Sequence, residues 1–450
     1  MRGHRPAVSS ALPWAIGLLT LLLAPPALAQ RLDPVLLDSF LTDPLEVDPR
    51  DPLLPTPVVD RELSPLERYS LERSLFELDR QAAALLASDQ PDQAFELWRR
   101  EVQLRRLFGR DAELEAIRRV GQQAWNAQRS VEVRLLTVRL RQIWEEDRPT
   151  ADTERVTTVA EISQILRAED LTTETLEELI ARADQRGNVA LQHQYRALLA
   201  AHYLQWFNYD EAAQLYSGLA VQAEGDALVQ EFYLEQLVHA HQEAKRFEAA
   251  IAAQSQLLAL YRATNQRDRE PPLEIAIARN YRSLNLNQQA MEYYQVAYGT
   301  AQILMQYNSI SDILRDLGDW YTEQNRRNEA LTMYNLLVRS EQQAYSQYGI
   351  LEAYDHLGQL YRAAEDRDAA LAAFQAGLGF ARSLDYRQAY FQEQIALTSQ
   401  LDPVASPADE QETDLRETID LGEPILDGIN RIRRSIGDNP PFDPPAALPE

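Results

Sequence analysis

An all-α fold assembled from helical hairpins that repeat about every 40 residues is the class this sequence predicts. Three observations predict it. Apolar residues recur at three- and four-residue spacing through residues 66–400, and strand-like alternation is absent. Prolines are concentrated in the flanks: seven lie in residues 31–65, eight in 401–450, and only Pro91, Pro149, Pro271 and Pro272 between. Small residues followed by aromatics return at a fixed offset of 40, from Ala278 to Gly318 to Gly358.

In chain order, residues 1–29 read as an export signal. Arg2 and Arg5 form a basic start, "ALPWAIGLLTLLL" an apolar run, and "ALA" a small-residue cleavage site before Gln30. The run is short for a membrane span, which needs ~20 apolar residues. No cysteine is present anywhere, so disulfides, lipoprotein anchoring and thiolate chemistry are excluded. Residues 30–65 read as a proline-rich extended arm, because proline removes a backbone donor and restrains its predecessor. Residues 66–400 form the helical repeat region, with copies starting near 75, 114, 153, 193, 231, 271, 311 and 351. The copies over 75–192 are degenerate, those over 193–385 are clearer, and 386–400 supplies a capping helix. Residues 401–450 form an acidic, proline-rich tail. Within it, a short amphipathic helix at 424–436 carries Ile425, Ile429 and Ile432, the first three of a row that continues to Ile436.

The repeat has a chemical logic. Ala278, Gly318 and Gly358 are each followed three residues later by Tyr281, Tyr321 and Tyr361, and twelve later by Ala290, Ala330 and Ala370. Four beyond those stand Tyr294, Tyr334 and Phe374. Small residues let two helices approach, and the aromatics fill the groove between hairpins. One hairpin cannot bury both faces, so neighbours must stack. This pattern resembles the tetratricopeptide repeat family, with a period nearer 40 than the family's usual ~34 residues. The resemblance implies an α-solenoid wound as a right-handed superhelix. "DPLLPTPVVDRELSPLER", with the export signal, is also similar to an uncharacterised group of exported repeat proteins of cyanobacteria.

The composition limits the functions available. A net charge of -25 disfavours nucleic acid and acidic lipid as partners. No P-loop, dinucleotide fingerprint, nucleophile elbow or H-E-x-x-H motif occurs. His239 and His241 point about 200° apart on a helix and cannot chelate one ion. His241, at an inward tyrosine position, reads as a core residue. Neither a catalytic residue, a metal site nor a cofactor is expected. In the resembled family the first helix of each repeat lines a concave groove. Carried onto this chain, that places Phe232, Glu235, His239, Arg279, Arg282, Asp312, Arg315, Asp319, Asp355 and Arg362 in a peptide-binding groove. Arg279, Arg282 and Arg315 either hold a ligand carboxylate together or pair with Asp312, Asp319 and Asp355. The Lys/Asn set that clamps chaperone tails in some family members is absent. The expectation is an exported scaffold for a protein or peptide partner in the cell envelope. Its compartment would be the periplasm, another extracytoplasmic space, or the thylakoid lumen of a cyanobacterium. The alternatives are a carbohydrate or cell-wall binding module, and an enzyme with an unrecognised carboxylate pair.

Overall fold

A computed structural model describes residues 32–46, 51–54 and 63–401. The expected export signal and the tail helix at 424–436 lie outside these residues. The described residues contain eighteen α-helices and no strand. They divide into two compact units, one ending at Gln192 and one beginning at His193.

Unit 1 opens with α1 (Pro34–Leu41), followed by three hairpins. These are α2 (Pro65–Ala87) with α3 (Pro91–Arg105), α4 (Arg110–Asn126) with α5 (Ser130–Asp147), and α6 (Thr153–Ile165) with α7 (Glu169–Gln185). The boundary falls in the first turn of α8 (Val189–Gln205), whose remainder opens unit 2 with α9 (Tyr209–Gln222), followed by α10 (Ala227–Glu243) and α11 (Phe247–Ala263). Next come α12 (Glu270–Ser283) with α13 (Asn287–Ile303), α14 (Tyr307–Glu323) with α15 (Arg327–Gln343), and α16 (Gln347–Ala363) with α17 (Arg367–Leu384). The last helix, α18 (Gln388–Ser399), packs on α17. Within each unit, helices pack on their neighbours in chain order, so the fold class is the all-α solenoid that the spacing predicts.

Sequence chemistry sets the helix ends. Ser64 and Glu67 form a reciprocal capping box around Pro65, which starts α2 ten residues before the first repeat copy was expected. Pro91 occupies the first turn of α3, and Pro271 that of α12. In unit 2, most helices end in a left-handed residue followed by a bond back to the helix. Lys245, Asn265, Asn285, Met305, Asn325, Tyr345, Glu365 and Asp385 all have φ between 49 and 61°. They are spaced every 20 residues. The next amide donates to a carbonyl five residues back, as Leu286 does to Tyr281 and Ser346 to Glu341. This satisfies carbonyls the helix would otherwise strand and closes each turn in few residues.

The seams between helices follow from the small residues. The Tyr334 ring lies against Gly318 and the Phe374 ring against Gly358, so close that an added Cβ would stand 2.8 Å and 2.5 Å from ring carbons. Phe391 of α18 meets Gly377 in the same manner. Tyr294, Tyr334, Phe374 and Phe391 are all buried, as are Ala290, Ala330 and Ala370 beside them. Each of these rings contributes on the order of 1.5–3 kcal/mol by leaving water, and each alanine methyl about 0.8 kcal/mol.

The arm is not wholly extended, contrary to the expectation from its prolines. Asp33 accepts from the Val35 amide at 2.9 Å, and Pro34 opens α1, so an Asp-Pro pair starts a helix that proline count alone argued against. The helix is held on unit 1. Phe40 is buried. Arg106, in the 3-10 turn Arg106–Phe108, donates to the Phe40, Leu41 and Thr42 carbonyls at 2.6, 3.1 and 3.1 Å. It thus caps the negative end of α1. Further along, Asp51 accepts both Arg100 donors at 2.5 and 2.7 Å, and Leu54 enters the α2–α3 core.

Candidate partner-binding surface

The ten groove candidates lie on the first helices of unit 2's hairpins, α10, α12, α14 and α16. They do not share one environment. On α10, Leu228, Phe232 and His239 are exposed and follow helical spacing on one face. Phe232 stacks edge-on against Tyr233 with ring centroids 5.5 Å apart, leaving about half of its own surface in solvent. Glu235, on the same face, accepts from Arg269 at 2.7 Å and from the Tyr261 hydroxyl at 3.3 Å.

Farther along, charge is consumed internally. Arg279 donates twice to Asp316 of the next hairpin, at 2.6 and 3.2 Å. Burial would lower the Arg279 pKa, but bonding and proximity to Asp316 outweigh it and raise the pKa. Arg282 reaches Glu323 at 3.1 Å and the Asp316 carbonyl at 3.3 Å, with its guanidinium over the Trp320 ring. Arg315 bridges Asp312 at 3.0 Å and buried Glu341 at 2.8 Å. Asp319 accepts from the Tyr334 hydroxyl at 2.6 Å. Asp355 is buried and accepts from Arg387, Tyr390 and Gln359 at 2.7, 2.7 and 3.0 Å. Arg362 donates to Gln394 of α18.

The arginines depart from both arrangements that the sequence suggested. They do not converge on a shared open anion site, because each guanidinium already has its own acid. Of the acids expected to neutralise them, only Asp312 does so, for Arg315; Arg279 and Arg282 use Asp316 and Glu323. Asp316 is largely covered and also accepts from the Tyr294 hydroxyl at 3.0 Å, whereas Glu323 is exposed; the sequence offered no way to rank either over Asp319. His241 is half-buried with its Nδ1 shielded from solvent and unbonded. Burial lowers its pKa, with Asp210 opposing and Arg246 adding to the effect.

The same chemistry recurs in unit 1. Arg139, Arg106 and Arg110 surround buried Glu113, Arg139 twice at 2.6 and 3.0 Å. Arg99 meets Glu132 at 2.7 Å, and Arg141 meets Glu174 at 2.6 Å, each across two hairpins. Many arginines bridge two acids at once, as Arg119 does Asp79 and Glu101, and Arg262 does Glu270 and Glu274. A planar guanidinium can make such forked contacts and an ammonium cannot match them. This gives a structural account of a chain with 44 cationic residues of which Lys245 is the only lysine.

Among the described residues, no group of three or more His, Asp or Glu could hold a metal, and no helix is long and apolar enough to cross a membrane. No protein-family model and no curated protein matches the chain. Among solved structures, it is similar to the crystal structure of BtubC (BKLC) from P. vanneervenii at 16% identity and TM-score 0.35. That match covers 55% of this chain and 98% of the other. It is also similar, at 15% identity and TM-score 0.38, to a Signal Transduction ATPase with Numerous Domains carrying a tetratricopeptide repeat sensor from Pyrococcus horikoshii. There the match covers 76% of this chain and 54% of that one. Nothing about a ligand or partner follows from either likeness. The geometry of the chain itself makes it a helical-hairpin repeat protein.

Proposed function

We propose that the chain is an exported scaffold that binds a protein or peptide segment along the first-helix face of unit 2, within an envelope assembly. The observation that carries this is the α10 face. Leu228, Phe232 and His239 stand exposed there, beside a row of helices whose charges are locked in pairs. A rigid row with a few exposed aromatic and apolar anchors suits recognition of an apolar or amphipathic segment, because such anchors carry most of the energy of an interface. The paired arginines act as braces that fix the spacing of the helices. The mode of action is recognition, and the compartment follows from the export signal.

The test is cross-linking in the native cells followed by identification of what is captured, with Phe232→Ser beside the wild type. Capture of one protein by the wild type, lost in the variant, supports the reading. Capture of a glycan with no protein overturns it in favour of a cell-wall module.

A further inference from the structure

In unit 2, the turns that lead from the second helix of one hairpin into the next helix are 223–226, 264–269, 304–306, 344–346 and 385–387. Hydrogen bonds and rings place neighbouring turns side by side. Gln306 donates to the Asp268 carbonyl at 2.8 Å, Ser340 to the Tyr307 carbonyl at 3.1 Å, and Tyr348 lies edge-on to Tyr386 at 5.6 Å. They form one edge of the unit.

This edge changes character along its length. The first two turns carry Glu224, Asp226, Arg267, Asp268 and Arg269. Residues 293–311 and 342–351, which include the next two turns, carry no charged residue at all. In place of charge, they expose Ile303 (58%), Met305 (69%), Tyr345 (92%) and Tyr348 (55%), and the patch ends at Tyr386 (47%), which stands between Asp385 and Arg387 of the last turn.

Met305 and Tyr345 are the two apolar residues at the left-handed positions of this edge; Phe207 is a third such residue, on the opposite edge and without a neighbour of its kind. The φ values of Met305 and Tyr345 are 54 and 55°, in a region where the equivalent turns use Asn265 and Asp385. A bulky residue there is disfavoured by its Cβ, and a bare tyrosine or methionine tip is disfavoured by water. The two residues stand 40 positions apart, so two neighbouring repeats carry the same double cost at the same place. Adjacent strained, exposed apolar residues that form one continuous patch mark a surface that a partner covers.

We propose that this uncharged edge is the interface of a homodimer, with a second copy of the chain as the occupant. Charge selects the second copy. A chain of net charge -25 repels its own kind over most of its surface, and copies can approach closely only where charge is missing. An apolar, neutral patch is complementary to itself, and a twofold axis sets the same patch on both copies. The extent is adequate. At ~200 Å² per aromatic side chain, the five residues expose roughly 600 Å², against about 800 Å² per partner in a standard interface. Exposed Gln302, Asn308, Gln342 and Gln347 supply a neutral hydrogen-bonding rim. This surface is separate from the α10 face and does not depend on the scaffold reading.

The test is sedimentation equilibrium of the full chain from about 1 to about 100 µM, at low and high salt. The expected result is a concentration-dependent dimer that tightens with salt as the like charges are screened. The double variant Met305→Asp/Tyr345→Asp should dimerise at least ~30-fold more weakly. It should keep its helical circular dichroism and thermal midpoint, because Asp tolerates the left-handed region better than Met or Tyr. Phe207→Asp, a left-handed turn residue on the opposite edge, should dimerise as the wild type does. A wild type that stays monomeric across the range overturns the proposal. So does a double variant that dimerises normally, or a loss of dimer in Phe207→Asp. A monomeric wild type that instead pelletes with neutral phosphatidylcholine vesicles would also overturn it and assign the edge to a bilayer.

Discussion

Replacing Gly358 by alanine tests the seam that defines the repeat. Gly358 is in the middle of α16, where alanine is the better helix former by about 0.8–1 kcal/mol. The added methyl would stand 2.5, 2.6 and 2.7 Å from three carbons of the Phe374 ring. Phe374 is fully buried and carries the Arg362 guanidinium 5.6 Å from its centroid, so it has little room to retreat. Overpacking of this kind costs about 1–3 kcal/mol. The overlap is with a ring held from both sides, which places the cost at the upper end. The net expectation is a loss of about 1–2 kcal/mol. Gly379, in α17 of the same hairpin, is the control. Nothing lies within 4 Å of its would-be Cβ, so Gly379→Ala should gain about 0.5–1 kcal/mol. Repeat arrays need not unfold in one step, so the assay is urea unfolding followed by circular dichroism together with amide exchange across α16–α18. The opposite signs of two identical substitutions in one hairpin are the diagnostic. A Gly358→Ala protein as stable as the wild type would refute the close-approach argument.

Three further outcomes are expected. Arg139→Ala removes two hydrogen bonds from buried Glu113 and should cost about 3 kcal/mol in urea unfolding, whereas half-exposed Arg279→Ala should cost under about 1 kcal/mol. Glu274 is buried and its pKa is pushed up to about 7 by desolvation, only partly offset by Arg262 and reinforced by Glu270. The native state therefore holds more protons than the unfolded chain between about pH 4.5 and 7, and stability falls as pH rises through that window. Glu274→Gln should flatten this dependence and gain roughly 2–3 kcal/mol at pH 8 while changing little at pH 4, measured by unfolding at both pH values. Phe40→Ala should raise amide exchange over α1 by an order of magnitude or more while leaving α4–α7 unchanged, because the α1 clamp rests on that ring and on Arg106.

What the sequence revealed and what it hid can be traced to particular residues. The Gly318–Tyr334 and Gly358–Phe374 seams were legible, because packing of a ring on a small residue needs both at a fixed offset. The capping box at Ser64 and Glu67 was also written in the sequence, and it starts α2 ten residues ahead of the copy whose Ala82, Ala94 and Trp98 are buried. The α1 helix was hidden by a proline count that overlooked Asp33 before Pro34. The pairing of Arg279 with Asp316 was not legible: helical spacing gives the face of a side chain, whereas the stagger between hairpins decides which acid it meets. The tips Met305 and Tyr345 were readable from the same offset of 40, through an absence of charge where charge abounds.

The most direct test of the central claim is hydroxyl-radical footprinting of the protein with and without its captured protein partner. The account predicts that Phe232 and His239 on α10 lose reactivity on binding, while exposed Tyr69 and Trp125 of unit 1 keep theirs. Unchanged reactivity at Phe232 and His239, with protection only on unit 1, would contradict it.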